Sequence, residues 1–420
     1  MALAAGSAAA QPAAPSRAAG AGGPDLEWRA FKNRYVANGG RVIDTANNGI
    51  SHSEGQGYGM FFAVEFDDKA TFDQLWGWTR QNLQRQRDSL FAWRYDPRSS
   101  LPVSDTNNAT DGDIYIAWAL LKAFQRWSDP SYRAYAARMT EDILRCCVTE
   151  AGGRTVLLPG TAGFRGPEGT VVNLSYYAFP ALRSLSRLVA DRRWSALERD
   201  GLDLMRQATF GGWELPPDWL LLPASGRAMM PAPAWPPRFS WDAVRVPLNL
   251  AWLRAQHPVL SASYRFWSHP DHRQKPPAWV DLRTGQIPSY PGHAGVRAVM
   301  ALAAPAGAEA PVSSIRVAQA PDYFAAALVL QAQIAAAARP EPPAVDPPEE
   351  VAQAAPGIRG RITSMGSSLL SRVWGADENE GVAAPAPAVA PAVVRTAPSA
   401  EEPPPVRGMR SGLRGLTAPR

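Results

Sequence analysis

The sequence predicts an all-α protein whose helices lie in two nested layers, and three observations carry that expectation. From about Pro24 to Ala338 the 420-residue chain repeats one theme, a polar loop marked by Gly or Pro followed by a segment with apolar positions at helical spacing. Strand-like alternation is scarce over the same span. The helical segments also divide into two kinds, some apolar on one face and others apolar nearly all round. A one-faced helix faces solvent on its other side, whereas a helix apolar all round must be covered on most sides. An inner layer wrapped by an outer one satisfies both kinds.

Taken in order, Trp28, Phe31 and Tyr35 form the first stripe. A helix is expected over 56–66, opened by Glu54 as a capping acid and by the glycines Gly55, Gly57 and Gly59, which let backbone approach a ligand and leave the carboxylate uncrowded. Ile114 to Trp127 is apolar nearly all round and reads as an inner helix. Tyr132, Tyr135, Ala136, Met139 and Ile143 make an outer stripe, as do Trp194, Leu197, Leu204 and Met205. Ala243 to Leu253 is again apolar on most sides. Residues 1–23 are rich in Ala and Pro with a small-residue site at Ala8–Ala10, which reads as a leader or a truncated signal peptide, without fixed structure. From 339 to 420 the composition shifts to Pro, Ala, Val and Glu, which predicts a disordered tail with one short helix at 358–374.

Composition narrows the function classes. A hydrophobic share of 46% suits a chain with a sizeable core. The formal charge of +5 comes without Lys/Arg runs interleaved with aromatics, which argues against nucleic acid as the main partner. The two cysteines, Cys146 and Cys147, are adjacent, so a bond between them would be strained, and no CxxC or HExxH pattern points to a metal. His269 and His272, three apart between prolines, read as loop surface. No stretch has the apolar length that spans a bilayer. Fifteen Trp suit either a helical core or a surface that stacks on sugar rings.

Three segments each place a carboxylate immediately ahead of a strongly apolar helix: Ser51 to Met60 with Glu54, Ala109 to Asp113 with Asp111, and Phe239 to Pro247 with Asp242. If the apolar helices are the inner layer and run parallel, these three carboxylates meet at one end in one cleft. Two carboxylates across a sugar ring are the minimum equipment for glycoside hydrolysis. Asp111 also has an ordinary reading as a helix-start acid, and its functional reading is a hydrogen bond to a sugar hydroxyl; Asp113 reads as structural. Asp242 and Arg245, three apart, share a helical face, and the cation favours an ionised carboxylate, as a general base requires. Tyr58, Trp93, Tyr176, Tyr177, Trp213 and Trp219 sit near the same loops as candidate sugar platforms, with core packing as the alternative for each.

At these residues the chain resembles glycoside hydrolase family 8, and within it the endoglucanases found with bacterial cellulose synthesis. Ala109 to Trp127 resembles that family's signature along its whole length, and Ser53 to Met60 resembles the segment that carries its general acid, which assigns that role to Glu54. Trp241-Asp-Ala-Val-Arg-Val-Pro247 is similar to the family's Tyr-Asp-Ala-x-Arg-x-Pro and assigns the inverting base to Asp242, with Trp241 replacing the usual Tyr. Asn173-Leu-Ser-Tyr-Tyr177 is similar to Asn-Pro-Ser-Tyr, which sets Tyr176 beside the base and the attacking water. The resemblance spans about 24–335 and implies an (α/α)6 barrel, a β-1,4-glucan substrate, single-displacement chemistry and no cofactor or metal. It further implies a periplasmic or secreted, monomeric enzyme with cellulose synthase machinery as a candidate partner. Chitosan, xylan or mixed-linkage glucan stay open as substrates, as does a catalytically silent glucan-binding module. A nucleotide site at Gly55-x-Gly57 lacks both the preceding strand and the third glycine.

Overall fold

The computed structural model describes residues 24–344. The leader expected at 1–23 and the short helix expected at 358–374 lie outside the described residues. Among the described residues there are eleven α-helices: α1 (Pro24–Tyr35), α2 (Ser53–Glu65), α3 (Lys69–Leu83), α4 (Thr110–Trp127), α5 (Pro130–Cys146), α6 (Phe179–Leu188), α7 (Arg193–Gln207), α8 (Arg245–Trp252), α9 (Pro258–Ser268), α10 (Ala294–Ala303) and α11 (Tyr323–Ala337).

The two layers follow from burial. Every residue of α8 is buried, as are twelve of the thirteen in α2. In α11 only four of fifteen are not. With α4, α6 and α10 these helices form an inner ring in which each packs on the next. The Tyr323 ring at the start of α11 stands edge-on to His52 at 5.5 Å and closes the circle against α2. The helices with one buried stripe, α1, α3, α5, α7 and α9, alternate with them on the outside. Two 3-10 turns, Val312–Ser314 and Val317–Gln319, rest on α10, α11 and α1 and take the sixth outer place. This is the expected (α/α)6 barrel.

Local signals explain individual elements. α5 opens on Asp129, whose side chain accepts the Ser131 N–H, and on Pro130, whose missing N–H is harmless there. It then buries Tyr132, Tyr135, Ala136, Met139 and Ile143, the stripe read from sequence. α4 is ended by Ser128 in the left-handed region, φ 60°. Between the inner helices the core is strongly aromatic: Phe61 of α2 stacks on Trp118 of α4 at 4.4 Å, and both approach Trp252 of α8. Cys146 and Cys147 are both free. No helix among the described residues is long and apolar enough to cross a membrane.

Two features differ from the sequence expectation. The second helix starts at Ser53 rather than 56, so Glu54 lies inside its first turn and the glycines lie within the helix. Those glycines serve packing, not ligand approach. A Cβ on Gly57 would stand 2.8 Å from the Tyr115 Cβ and 3.1 Å from the Gly112 oxygen, and one on Gly59 would stand 2.9 Å from Val42 Cγ2. The helix propensity lost at three glycines is offset by the close approaches they permit, of α4 at Gly57, of Val42 and of Leu75 in α3 at Gly59, and of Tyr323 at Gly55. The second difference is a four-stranded antiparallel sheet over the cleft end of the barrel, with strands 230–231, 220–223, 169–172 and 165–166 in that order. One of its two four-residue members, Leu220–Pro223, is buried at every position and so has no alternation to read.

Candidate active site

The inner helices begin at one end of the barrel, which gathers Glu54 from α2, Asp111 from α4, Tyr176 from the turn before α6, and Asp242 with Arg245 at the start of α8. Asp242 sits in the turn that leads into α8 rather than within it, and the Arg245 N–H donates to the Asp242 carbonyl at 3.0 Å. The gathering is not approximate. One guanidinium, 3% exposed, reaches all three carboxylates. Arg245 Nη1 donates to Glu54 Oε2, to Asp111 Oδ2 at 3.3 Å and to the Tyr58 hydroxyl at 2.8 Å, while Nη2 donates to Asp242 Oδ1 at 2.6 Å. The Arg245 guanidinium also lies over the Tyr176 ring at 5.8 Å. Two charge-assisted hydrogen bonds and the width of the guanidinium fork limit the nearest oxygens of Glu54 and Asp242 to about 7–8 Å apart.

Each acid has its own support. His52 caps α2: its Nδ1 accepts the Gly55 N–H at 3.0 Å and lies 4.0 Å from Glu54 Oε1, while its Nε2 faces Asp44 Oδ2 at 3.3 Å. Because Nδ1 accepts, the proton of a neutral His52 is on Nε2, toward Asp44. Asp111 Oδ1 accepts the Gly112 N–H at 2.8 Å. The Tyr176 turn is tied to α8 by Asn249, whose Nδ2 donates to the Ser175 carbonyl at 2.9 Å. Asp113, as read from sequence, is structural: it accepts from the Phe91 N–H and from Asn108 Nδ2, and burial pushes its carboxyl up to about 8.

The aromatic candidates divide. Trp93, with its indole N–H on Asp105 at 2.7 Å, joins Tyr176, Phe164, Trp219 and Asn107 around a small cavity beside the carboxylates. Phe164 stacks on Trp219 at 5.9 Å, and Trp219 on Trp235 at 4.7 Å, so the segments flanking the sheet form a continuous aromatic stack. Tyr58 is 2% exposed beneath Arg245 and edge-on to Tyr115 at 4.6 Å. It supports the guanidinium instead of offering a face to a sugar. Trp213 lies away from this group, packed on Phe266, His269 and His272.

A family model described as "Glycosyl hydrolases family 8" matches residues 2–338. The chain belongs to glycosyl hydrolase family 8. Among its family 8 relatives, a "Probable endoglucanase" from Novacetimonas hansenii is 42% identical over 312 residues, 74% of this chain and 90% of that protein. An "Endoglucanase" from Cellulomonas uda is 40% identical over 272 residues, covering 65% of this chain and 75% of that protein. Among solved structures, endo-β-1,4-glucanase CMCax from Acetobacter xylinum superposes with a TM-score of 0.71 at 42% identity, covering 75% of this chain and 98% of that one. In this family 8 chain the Trp241 ring stacks on His293 at 5.7 Å and meets Phe324 edge-on. That packing leaves the Asp242 to Arg245 bond in place.

Several site residues escaped the sequence reading. His52 is an uncommon N-cap, although a polar residue immediately before an apolar helix is a usable signal. Asp218, His293 and Tyr323 carry no local mark of a role, since each meets the site only through the tertiary fold, whereas Asp44 reaches His52 across a loop of eight residues. Asp218 is buried next to the Asp242 turn; burial first and the Asp242 charge second push its carboxyl up to about 7.

Proposed function

We propose that this chain is an endo-acting β-1,4-glucanase that works by single displacement, with Glu54 as general acid and Asp242 as general base. The observation that carries the reading is that Glu54 and Asp242, remote in sequence, are held by one buried guanidinium at the N-terminal end of the inner helices. Three carboxylates around one cation leave excess negative charge in a poorly hydrated place, which favours retaining one proton in the cluster. In the proposed reaction that proton sits on Glu54 and passes to the leaving glycosidic oxygen. Asp242, the more open of the two with a side chain 15% exposed, takes a proton from water attacking the opposite face of the ring. Single displacement needs about 6.5–9.5 Å between the two carboxyl groups to leave room for such a water, and the reach of the Arg245 fork does not forbid it.

Asp111 is assigned to a sugar hydroxyl in the reacting ring, Tyr176 to the space beside the base, and Trp93 to a neighbouring sugar. The relatives named as endoglucanases support the substrate class. A glucan polymer lies outside the cytoplasm, so we place the enzyme in the periplasm or medium, acting as a monomer alongside cellulose synthesis.

The test is product analysis on carboxymethylcellulose, with the anomeric configuration of new reducing ends followed by NMR. Inversion and internal cleavage are expected. Glu54→Gln is expected to abolish turnover while cello-oligosaccharide binding persists. Near-normal turnover in that variant, or retained configuration in the wild type, sinks the proposal.

A further inference from the structure

Resting on the assignment of Asp242 as base, we propose that Asp218 is its positioning residue, holding the turn that aims the base and placing a negative charge behind it. The geometry is specific. Asp218 comes from the loop between α7 and the sheet, 24 residues before Asp242, and its own N–H is fixed on the Arg238 carbonyl at 2.8 Å. Its Oδ1 accepts three backbone N–H groups of the base's turn: Ser240 at 3.0 Å, Asp242 at 3.2 Å and Ala243 at 2.8 Å. The Ser240 hydroxyl donates to Oδ2. Thus one buried carboxylate takes up four donors from residues 240–243, and the base's own backbone N–H is among them.

A neutral amide could hold such a turn, so the question is what the charge adds. On its other side Asp242 is bonded to the Arg245 cation, with Glu54 and Asp111 beyond that cation. An unopposed guanidinium weakens a base, because it stabilises the ionised carboxylate and lowers its proton affinity. The Asp218 charge opposes it from behind. The mutual repulsion leaves its trace on Asp218, whose carboxyl is pushed up to about 7 by burial and by Asp242 in spite of the hydrogen bonds it accepts. The hydrogen bonds therefore set the direction of Asp242, and above pH 7 the ionised Asp218 adds a negative charge behind it.

The test compares wild type, Asp218→Asn and Asp218→Ala on a soluble cello-oligosaccharide across pH, with Glu54→Gln alongside. Asp218→Asn keeps one oxygen for the backbone donors and removes the charge. It is expected to leave KM within about twofold and to lower kcat about tenfold above pH 7, where Asp218 is ionised in the wild type, with the two profiles converging below it. Asp218→Ala also frees the turn and is expected to lower kcat by about 100-fold or more. A folded Asp218→Asn enzyme whose kcat equals the wild type's on both sides of pH 7 overturns the proposal, because a purely structural anchor would behave in that way. Should Asp218→Asn not fold, the coupling is read in Asp242→Asn by carbon NMR of labelled aspartate. There the Asp218 carboxyl is expected to titrate about one unit lower than in wild type, and an unchanged titration overturns the proposal. Wild-type hydrolysis abolished by Glu54→Gln separates these failures from a failure of the acid and base assignment itself.

Discussion

Replacing Arg245 with Met would remove the one cation shared by three carboxylates while keeping much of the side chain's volume. Arg245 donates to Glu54, Asp111, Asp242 and Tyr58, and none of the three carboxylate side chains is more than 15% exposed. Each charge-assisted hydrogen bond is worth about 1.5–3 kcal/mol, but the losses do not add, because the cluster can take up protons instead. Breaking a buried ion pair from one side costs about 3–5 kcal/mol, and that is the loss of stability expected near pH 7.5. For a domain of this size it corresponds to a fall in Tm of about 5–8 °C. The sign with pH follows from linkage. Without the cation, the folded variant binds protons that its unfolded state has released, so its stability falls as pH rises and the deficit is smallest in acid. Urea unfolding of both proteins at pH 5 and pH 7.5 measures this directly. A deficit under about 1 kcal/mol at pH 7.5, or one that grows toward pH 5, would falsify the view that Arg245 holds the carboxylates together.

Gly57→Ala would drive a methyl to 2.8 Å from the Tyr115 Cβ and is expected to cost about 1–3 kcal/mol by forcing α2 away from α4; thermal melting within 1 °C of wild type would refute that account. His293 is neutral in the fold, its pKa lowered to about 4 by burial and then by Arg297, so its contribution is intact above about 6.5, the unfolded value, and is lost as pH falls toward 4. His293→Asn keeps an acceptor for the Gly295 and Val296 N–H groups and is expected to flatten stability between pH 6.5 and 4 by about 3 kcal/mol; an unaltered slope in urea melts argues against it.

The amino-acid pattern alone determined much of the barrel, because burial and periodicity are local properties. The stripes of α1, α5 and α7 and the all-round apolar character of α4 and α8 were enough to sort helices into layers. The three carboxylates were legible for the same reason, since each is adjacent in sequence to the helix that positions it. Two kinds of fact were decided only by the closed ring. Glycines at 55, 57 and 59 look alike in one dimension whether they admit a ligand or a neighbouring helix, and only the approach of Tyr115, Gly112 and Val42 tells which. Likewise, Arg245 reads as a partner for Asp242 three residues away, yet its bonds to Glu54 and Asp111 cross 191 and 134 residues of chain. Asp218, 24 residues before Asp242 and on a different loop, likewise has its role only through the fold. A hydrogen bond over that separation leaves no periodic trace, so which charges face one another is settled by how the helices close, not by what any one segment contains.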